Sequence, residues 1–147
     1  MMNLYTAIHK LMPIVYPSFY TLLDIARNEL VFLETEDGKI CELNISDKTQ
    51  CEAVSNHYHL FEKVGKNNCG RVVEIGKSIA NNLLHSLAQS FPAKNFIVYL
   101  EVNAKDSVII RFHQIWENEP PYFDMTQNYN DVEIFEFKTD TSSKLVY

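Results

Sequence analysis

The chain between residues 71 and 116 decides the fold: RVVEIGKSIANNLLHSLAQSFPAKNFIVYLEVNAKDSVIIRFHQIW. In its first part an apolar residue recurs every four positions, at Ile75, Ile79, Leu83, Leu87 and Phe91. This spacing predicts one apolar stripe on a helix over residues 71–91, and Pro92 ends the helix because proline cannot continue it. The stripe is broad enough to pack on a β-sheet.

The second part of this stretch predicts two antiparallel strands, FIVYLEV from residue 96 and SVIIRFHQIW from residue 107. A three-residue loop between them aligns the apolar residues of one face, pairing Val102 with Val108, Leu100 with Ile110, and Val98 with Phe112. Because strand side chains alternate between faces, we expect this face to pack on the long helix. Ile79, Leu83 and Leu87 are the helix residues predicted to cover it.

The opposite face of the same strands carries Tyr99, Glu101, Arg111 and His113 among isoleucines. A carboxylate near a histidine and an arginine is able to do acid–base chemistry, so Glu101, Arg111 and His113 are candidate residues of a small enzyme. Cross-strand ion pairing on a solvated sheet face is the simpler explanation, and we prefer it. We therefore expect no catalytic residues and no enzyme activity.

The rest of the chain predicts further elements around this centre. We expect helices over residues 3–12, stopped by Pro13, and from Ser18 to about Asn28. A hairpin turning at Asp37-Gly38 would pair residues 30–34 with 41–45, and a last strand would cover residues 132–137. The prediction is one α+β domain spanning residues 1–147, with an antiparallel sheet of about five strands packed against helices.

Residues 49–63 are ambiguous. Thr49 and Glu52 have the spacing of a capping box, and Val54, Tyr58 and Phe61 follow at helical spacing. On the helix that we favour, His57 and His59 point about 200° apart and cannot share a metal ion, whereas on a strand they would lie on one face. No third ligand has a suitable spacing, so we predict neither a metal site nor a cofactor.

The charge is concentrated near the C-terminus. The chain has 13 basic and 19 acidic residues, a formal net charge of −6, which disfavours direct nucleic-acid binding. Residues 117–140 hold seven carboxylates and one basic residue, a net charge equal to that of the whole chain. We predict a protein-binding surface there, made by Glu117, Glu119, Tyr122, Phe123 and Asp124. The alternative is a solvated loop whose aromatic side chains pack into the core.

Cysteine usage and hydropathy suggest the compartment. The three cysteines, Cys41, Cys51 and Cys69, cannot all pair within one chain, and we expect reduced, buried thiols. The N-terminus lacks the pattern of a signal peptide, and the longest apolar stretch is shorter than a membrane span. The sequence therefore predicts a cytoplasmic protein that does not associate with membranes.

The run SVIIRFHQIWENEPPYFD, from Ser107 to Asp124, resembles a segment of small bacterial immunity proteins. These proteins protect a cell from contact-dependent inhibition and related polymorphic toxins, and the resemblance extends to size, acidity and the α+β outline. It implies an intracellular inhibitor that binds the C-terminal domain of one toxin, often a nuclease. A nuclease is basic where it holds phosphate, so an acidic partner is able to cover that surface.

Overall fold

The computed structural model describes residues 4–35, 47–62, 69–103 and 107–139. These residues form three helices: α1 (Leu4–Val15), α2 (Lys48–Ser55) and α3 (Cys69–Ser90). They also form six strands: β1 (Phe19–Leu23), β2 (Glu29–Leu33), β3 (His57–Glu62), β4 (Phe96–Asn103), β5 (Ser107–Gln114) and β6 (Val132–Lys138). The strands make two antiparallel sheets, β1-β2 and β3-β5-β4-β6. The α+β class is confirmed, with six strands in two sheets where about five were expected.

The predicted core around α3 is confirmed. Leu83 and Leu87 are fully buried, and they belong to one cluster with the apolar residues of β4 and β5: Val98, Leu100, Val102, Val108, Ile110 and Phe112. The helix lies close to the sheet at Gly76, where an added Cβ would be 3.0 Å from Leu100 Cδ1. A side chain at position 76 would therefore require the buried Leu100 side chain to shift by a few tenths of an ångström.

The predicted pairing of β4 with β5 is also confirmed. Val102 lies opposite Val108, and the alignment continues through Leu100 with Ile110 to Val98 with Phe112. The strand predicted at residues 132–137 is present as β6, which pairs with the other edge of β4. The order β3-β5-β4-β6 thus places the predicted hairpin in the centre of the larger sheet.

The helix predicted from Ser18 to Asn28 is wrong. Residues 19–23 form β1, and a turn leads from it into β2. In this turn Asp24 Oδ1 accepts a hydrogen bond from the backbone N–H of Asn28 at 2.8 Å, and Arg27 has a φ of 63°. The side-chain amide of Asn28 also donates to Asp24, and this hydrogen bond is the largest cause that lowers the pKa of Asp24. The apolar spacing fits a helix, but aromatic and β-branched residues followed by a turn favour a hairpin.

Two helix boundaries also differ from the prediction. Helix α1 continues through Pro13 to Val15, so the predicted stop at this proline is wrong. Proline lacks only its own N–H, and Tyr16 N still donates to Met12 O at 2.9 Å. Helix α2 is capped by Asp47, whose side chain accepts from Gln50 N at 2.9 Å, so the capping box predicted at Thr49 is wrong. The predicted Asp37-Gly38 turn and its second arm lie outside the described residues.

Helix α2 joins the two sheets through Asn56, the residue at its C-terminal end. The side chain of Asn56 accepts from Leu33 N and donates to Val31 O, both at 2.9 Å, as a neighbouring strand would. Its own carbonyl accepts from Phe112 N of β5 at 3.2 Å. Buried backbone groups need such partners, and here one residue supplies them to both sheets.

Beside this junction lies a smaller core of Leu30, Phe32 and Cys51, against which Tyr20, Leu22 and Trp116 pack. Cys51 is buried, as expected, but it is disulfide-bonded, so the expectation of a reduced thiol is wrong for this residue. The odd number of cysteines excludes only complete pairing and leaves one bond possible. The bonded partner lies outside the described side chains.

Candidate functional site

The connection between β5 and β6, residues 115–131, carries the predicted binding surface and is called the acidic connection below. Glu117, Asp124 and Asp131 are exposed on it, and Glu133 is exposed at the start of β6. Within the described ranges none of these four carboxylates makes an ion pair. Among the described residues, these four exposed charges thus have no cationic partner.

Asp124 is fixed by a local turn. Its Oδ1 accepts from Thr126 N at 2.9 Å and from Thr126 Oγ1 at 2.6 Å, and its backbone N–H donates to the Tyr129 hydroxyl at 3.0 Å. The hydrogen bonds from Thr126 lower the pKa of Asp124. This exposed carboxylate is thus held in one position and stays ionised.

Glu119, a second predicted binding residue, instead ties the connection to α2. Its Oε2 lies 2.6 Å from Lys48 Nζ, and its Oε1 accepts from Thr49 N at 2.8 Å in the first turn of that helix. Burial alone would raise the pKa of Glu119, but the hydrogen bonds from Lys48 and Thr49 outweigh it and lower the pKa. The Lys48 ammonium also lies 5.1 Å from the centre of the Trp116 ring.

The aromatic residues of the connection pack on the polar face of the sheet. Phe123 makes edge-to-face contacts with Tyr99 of β4, Tyr122 and Tyr129, at ring-centre distances of 5.0, 4.8 and 5.3 Å. Arg111 of β5 lies 4.9 Å from the centre of the Tyr122 ring. Tyr122 and Phe123 are half-buried by these contacts, so they hold the connection in shape, and their remaining surface faces outward.

His113 lies beneath this cover and is only 1% exposed. Its Nδ1 is 2.6 Å from the Gln114 carbonyl, which only accepts, so Nδ1 carries the proton. Its Nε2 is then the acceptor for Tyr122 N and the Tyr99 hydroxyl, both at 3.3 Å. Burial lowers the pKa of His113. The hydrogen bond to the Gln114 carbonyl and the nearby carboxylates raise this pKa by a smaller amount. The imidazole is neutral and fully hydrogen-bonded.

Tyr99 also belongs to this covered face. It is completely buried, and burial raises its pKa to about 12, so its hydroxyl stays protonated. The expectation that this sheet face is solvated is therefore wrong, because the acidic connection lies over it. Aromatic rings in the connection find more buried contact area on the sheet than in water.

Glu101 and Arg111 form the predicted cross-strand pair, with Arg111 Nε 2.8 Å from Glu101 Oε2. Arg111 also donates to the Ala53 carbonyl of α2 at 2.7 Å. Within the described part of the chain, no hydrogen bond or ion pair joins this pair to His113. The structure thus brings the three candidate enzyme residues to one face, where Glu101 pairs with Arg111 and His113 bonds separately to Tyr99 and Tyr122.

Glu52, which the sequence singled out only as part of a capping box, is fully buried at the junction of the two sheets. Its carboxylate accepts four hydrogen bonds, from Val31 N, Gln114 N, the Gln114 side-chain amide and the Trp116 indole. Burial raises the pKa of Glu52, although these hydrogen bonds oppose the rise. No local signal marks this role, because the donors come from two segments that are distant from Glu52 in sequence.

No protein-family model matches the sequence, and no curated protein or solved structure is significantly similar to it. None of the helices in the described residues is long and apolar enough to cross a membrane. Conclusions about function therefore depend on the surface and the geometry given above.

Proposed function

We propose that this chain is an immunity protein, a non-enzymatic inhibitor that binds the toxic C-terminal domain of a cognate bacterial toxin in the cytoplasm. One observation carries the proposal: the acidic connection and the start of β6 present four exposed carboxylates without a cationic partner in the described structure. A surface of this kind attracts a basic protein and repels acidic ones.

The shape of this surface supports the same function. Glu119 fixes the connection to α2, while Tyr122 and Phe123 fix it to the sheet. A preorganised surface loses little conformational entropy when it binds, which favours affinity. In this proposal Glu117 and Asp124 contact the toxin directly. Glu119, Tyr122 and Phe123 hold the acidic connection in the conformation that presents these two carboxylates.

The chemistry of the surface favours a nuclease as the target. A nuclease binds phosphate groups through lysine and arginine side chains, and these are the groups that exposed carboxylates pair with. The inhibitor would then cover the substrate-binding surface of the toxin. The covered and hydrogen-bonded state of His113 gives no comparable support to the alternative of an enzyme at Glu101, Arg111 and His113.

The test uses the purified domain of a toxin whose gene lies beside the gene of this chain, and it follows both association kinetics and toxin activity. The absence of any toxin gene there would itself count against the immunity function. Three substitutions, Glu117→Gln, Asp124→Asn and Glu133→Gln, are combined in one variant. We expect association about tenfold slower at low salt and a weaker dependence on salt, because exposed charges act mainly through steering. The wild-type chain should abolish the toxin's activity.

A matched control distinguishes the effect of where the carboxylates are removed from the effect of the change in net charge. Glu34→Gln, Glu62→Gln and Glu74→Gln remove the same number of exposed carboxylates from other parts of the surface. This control should associate at nearly the wild-type rate. Equal slowing by both triple variants would place the interface elsewhere, and failure of the wild-type chain to bind the toxin domain would contradict the immunity function itself.

A further inference from the structure

The strand β3 places two histidines on one exposed face. His57 and His59 are separated by one residue, both side chains are exposed, and their ring centres are 5.6 Å apart. A helix through both histidines, as the sequence favoured, would have prevented them from sharing a metal ion. Helix α2 ends before them, at Ser55, so that expectation is wrong. Residues two apart on a strand point the same way, so these imidazoles are neighbours.

The backbone beneath the pair is well anchored. Leu60, on the opposite face of β3, is buried in the main core, and His57 and His59 lie in regular register with Arg111 and Ile109 of β5. The irregularity in this pairing comes after His59. Both histidines therefore project from a strand whose position is set by the sheet.

The imidazole of His57 is already oriented. Its Nδ1 lies 2.7 Å from the carbonyl oxygen of Val54, which accepts only, so Nδ1 carries the proton and Nε2 has a free lone pair. Histidines that bind metals usually donate their second ring nitrogen to a carbonyl or carboxylate in this way. Among the described residues around the pair, charge does not oppose a cation, because Arg111 is paired with Glu101 and Glu62 Oε1 lies 4.0 Å from His59 Nδ1.

We propose that His57 and His59 together chelate one divalent transition-metal ion of the class that prefers imidazole: Cu²⁺, Ni²⁺ or Zn²⁺. The described residues contain no group of three or more histidine, cysteine, aspartate or glutamate side chains arranged to hold a metal. Among the described residues the ion thus has two protein ligands, and water completes its coordination. This site is independent of the binding function proposed for the acidic connection.

The test is a calorimetric titration of the untagged full chain with Ni²⁺. We expect one bound ion per chain and at least tenfold weaker binding in both His57→Gln and His59→Gln, because the second ligand acts at high effective concentration only in the pair. Thermal melts should show a midpoint that rises with Ni²⁺ in the wild type, since the ion binds the folded strand. His85→Gln, an exposed histidine on α3, should bind as the wild type does.

Pulsed electron paramagnetic resonance with Cu²⁺ then counts the coordinated imidazoles. Two are expected in the wild type and one in each single variant, a difference that a purely structural role of either histidine would not produce. Circular dichroism checks that the variants are folded. Undetectable Ni²⁺ binding by the wild type, wild-type affinity in either strand variant, or loss of binding in His85→Gln would overturn the proposal.

Discussion

The Glu52 carboxylate accepts two hydrogen bonds from Gln114, one from the backbone N–H at 3.0 Å and one from the side-chain amide at 2.8 Å. Glu52 lies on α2 and Gln114 ends β5, immediately before the acidic connection. The same carboxylate accepts from Val31 N of β2 at 2.9 Å. The position of the proposed binding surface thus depends on a buried charge that also holds the two sheets together.

Replacing Glu52 by glutamine should destabilise the protein. The amide group of glutamine would face donors that now bond to a carboxylate oxygen, leaving buried N–H groups without an acceptor. We expect a loss of about 2 kcal/mol or more in the free energy of unfolding, measured by urea denaturation. Glu74→Gln on the exposed face of α3 is the control and should change stability by less than about 0.5 kcal/mol. Equal effects would mean that the four hydrogen bonds add nothing to stability.

Leu83→Ala should show whether α3 is held by its apolar stripe. Leu83 is fully buried against the sheet, so the substitution removes buried surface and leaves a cavity. The expected loss is about 2–5 kcal/mol in the free energy of unfolding. Ile75 belongs to the same stripe but is 49% exposed, so Ile75→Ala should lose much less. A wild-type midpoint and slope for Leu83→Ala would contradict the packing.

Phe123→Ala should lower stability even in the absence of a partner. The ring contacts three tyrosines edge-to-face, and its loss would loosen the acidic connection over the sheet. Because Phe123 is half-buried, we expect a loss of about 1–3 kcal/mol, measured by thermal or chemical denaturation. Met125→Ala, at an exposed position two residues away, should leave the midpoint unchanged. A wild-type melt for Phe123→Ala would instead assign this ring to a partner interface.

The pH dependence of stability should carry a contribution from His113. Its folded pKa lies below the unfolded value of 6.5, so its contribution is complete above pH 6.5 and is lost as the pH falls through the folded pKa. Protonation would also make Nε2 a donor facing the N–H of Tyr122.

The measurement compares wild type with His113→Gln by urea denaturation between pH 8 and pH 5. The difference in stability should shrink toward acid, by at most about 1.4 kcal/mol per pH unit. Taking the difference cancels the pH dependence of Glu52, which both proteins share. A constant difference for His113→Gln would mean that its imidazole remains accessible to protons.

The elements that the sequence predicted correctly are those with strong, uninterrupted periodicity. The four-residue repeat of α3 and the alternation of β4 and β5 leave one arrangement that buries most of their large apolar side chains, so the pairing of Val102 with Val108 was predictable. Residues 19–23 were mispredicted because five residues cannot distinguish the two periods. A partner strand, β2, decided their structure.

The exposed charges and the cross-strand ion pair were predictable from the sequence, whereas the layout around them was not. The charge of Glu117 and Asp124 and their exposure follow from composition, as does the pairing of Glu101 with Arg111 across two strands. The covering of the sheet face by Tyr122 and Phe123, and the burial of Glu52, depend on how distant segments meet. Tertiary contacts of this kind have no signature in local spacing.

The junction made by Asn56 and Glu52 has a consequence for hydrogen exchange. The amide protons of Val31 and Leu33 are bound to side-chain oxygens of α2, whereas the intervening amide of Phe32 faces β1. Exchange at Phe32 therefore reports the opening of the β1–β2 hairpin, and exchange at Val31 and Leu33 reports the separation of α2 from β2. Neighbouring amides of one strand would then record two different local openings, and the slower class identifies which contact with β2 is the last to be released.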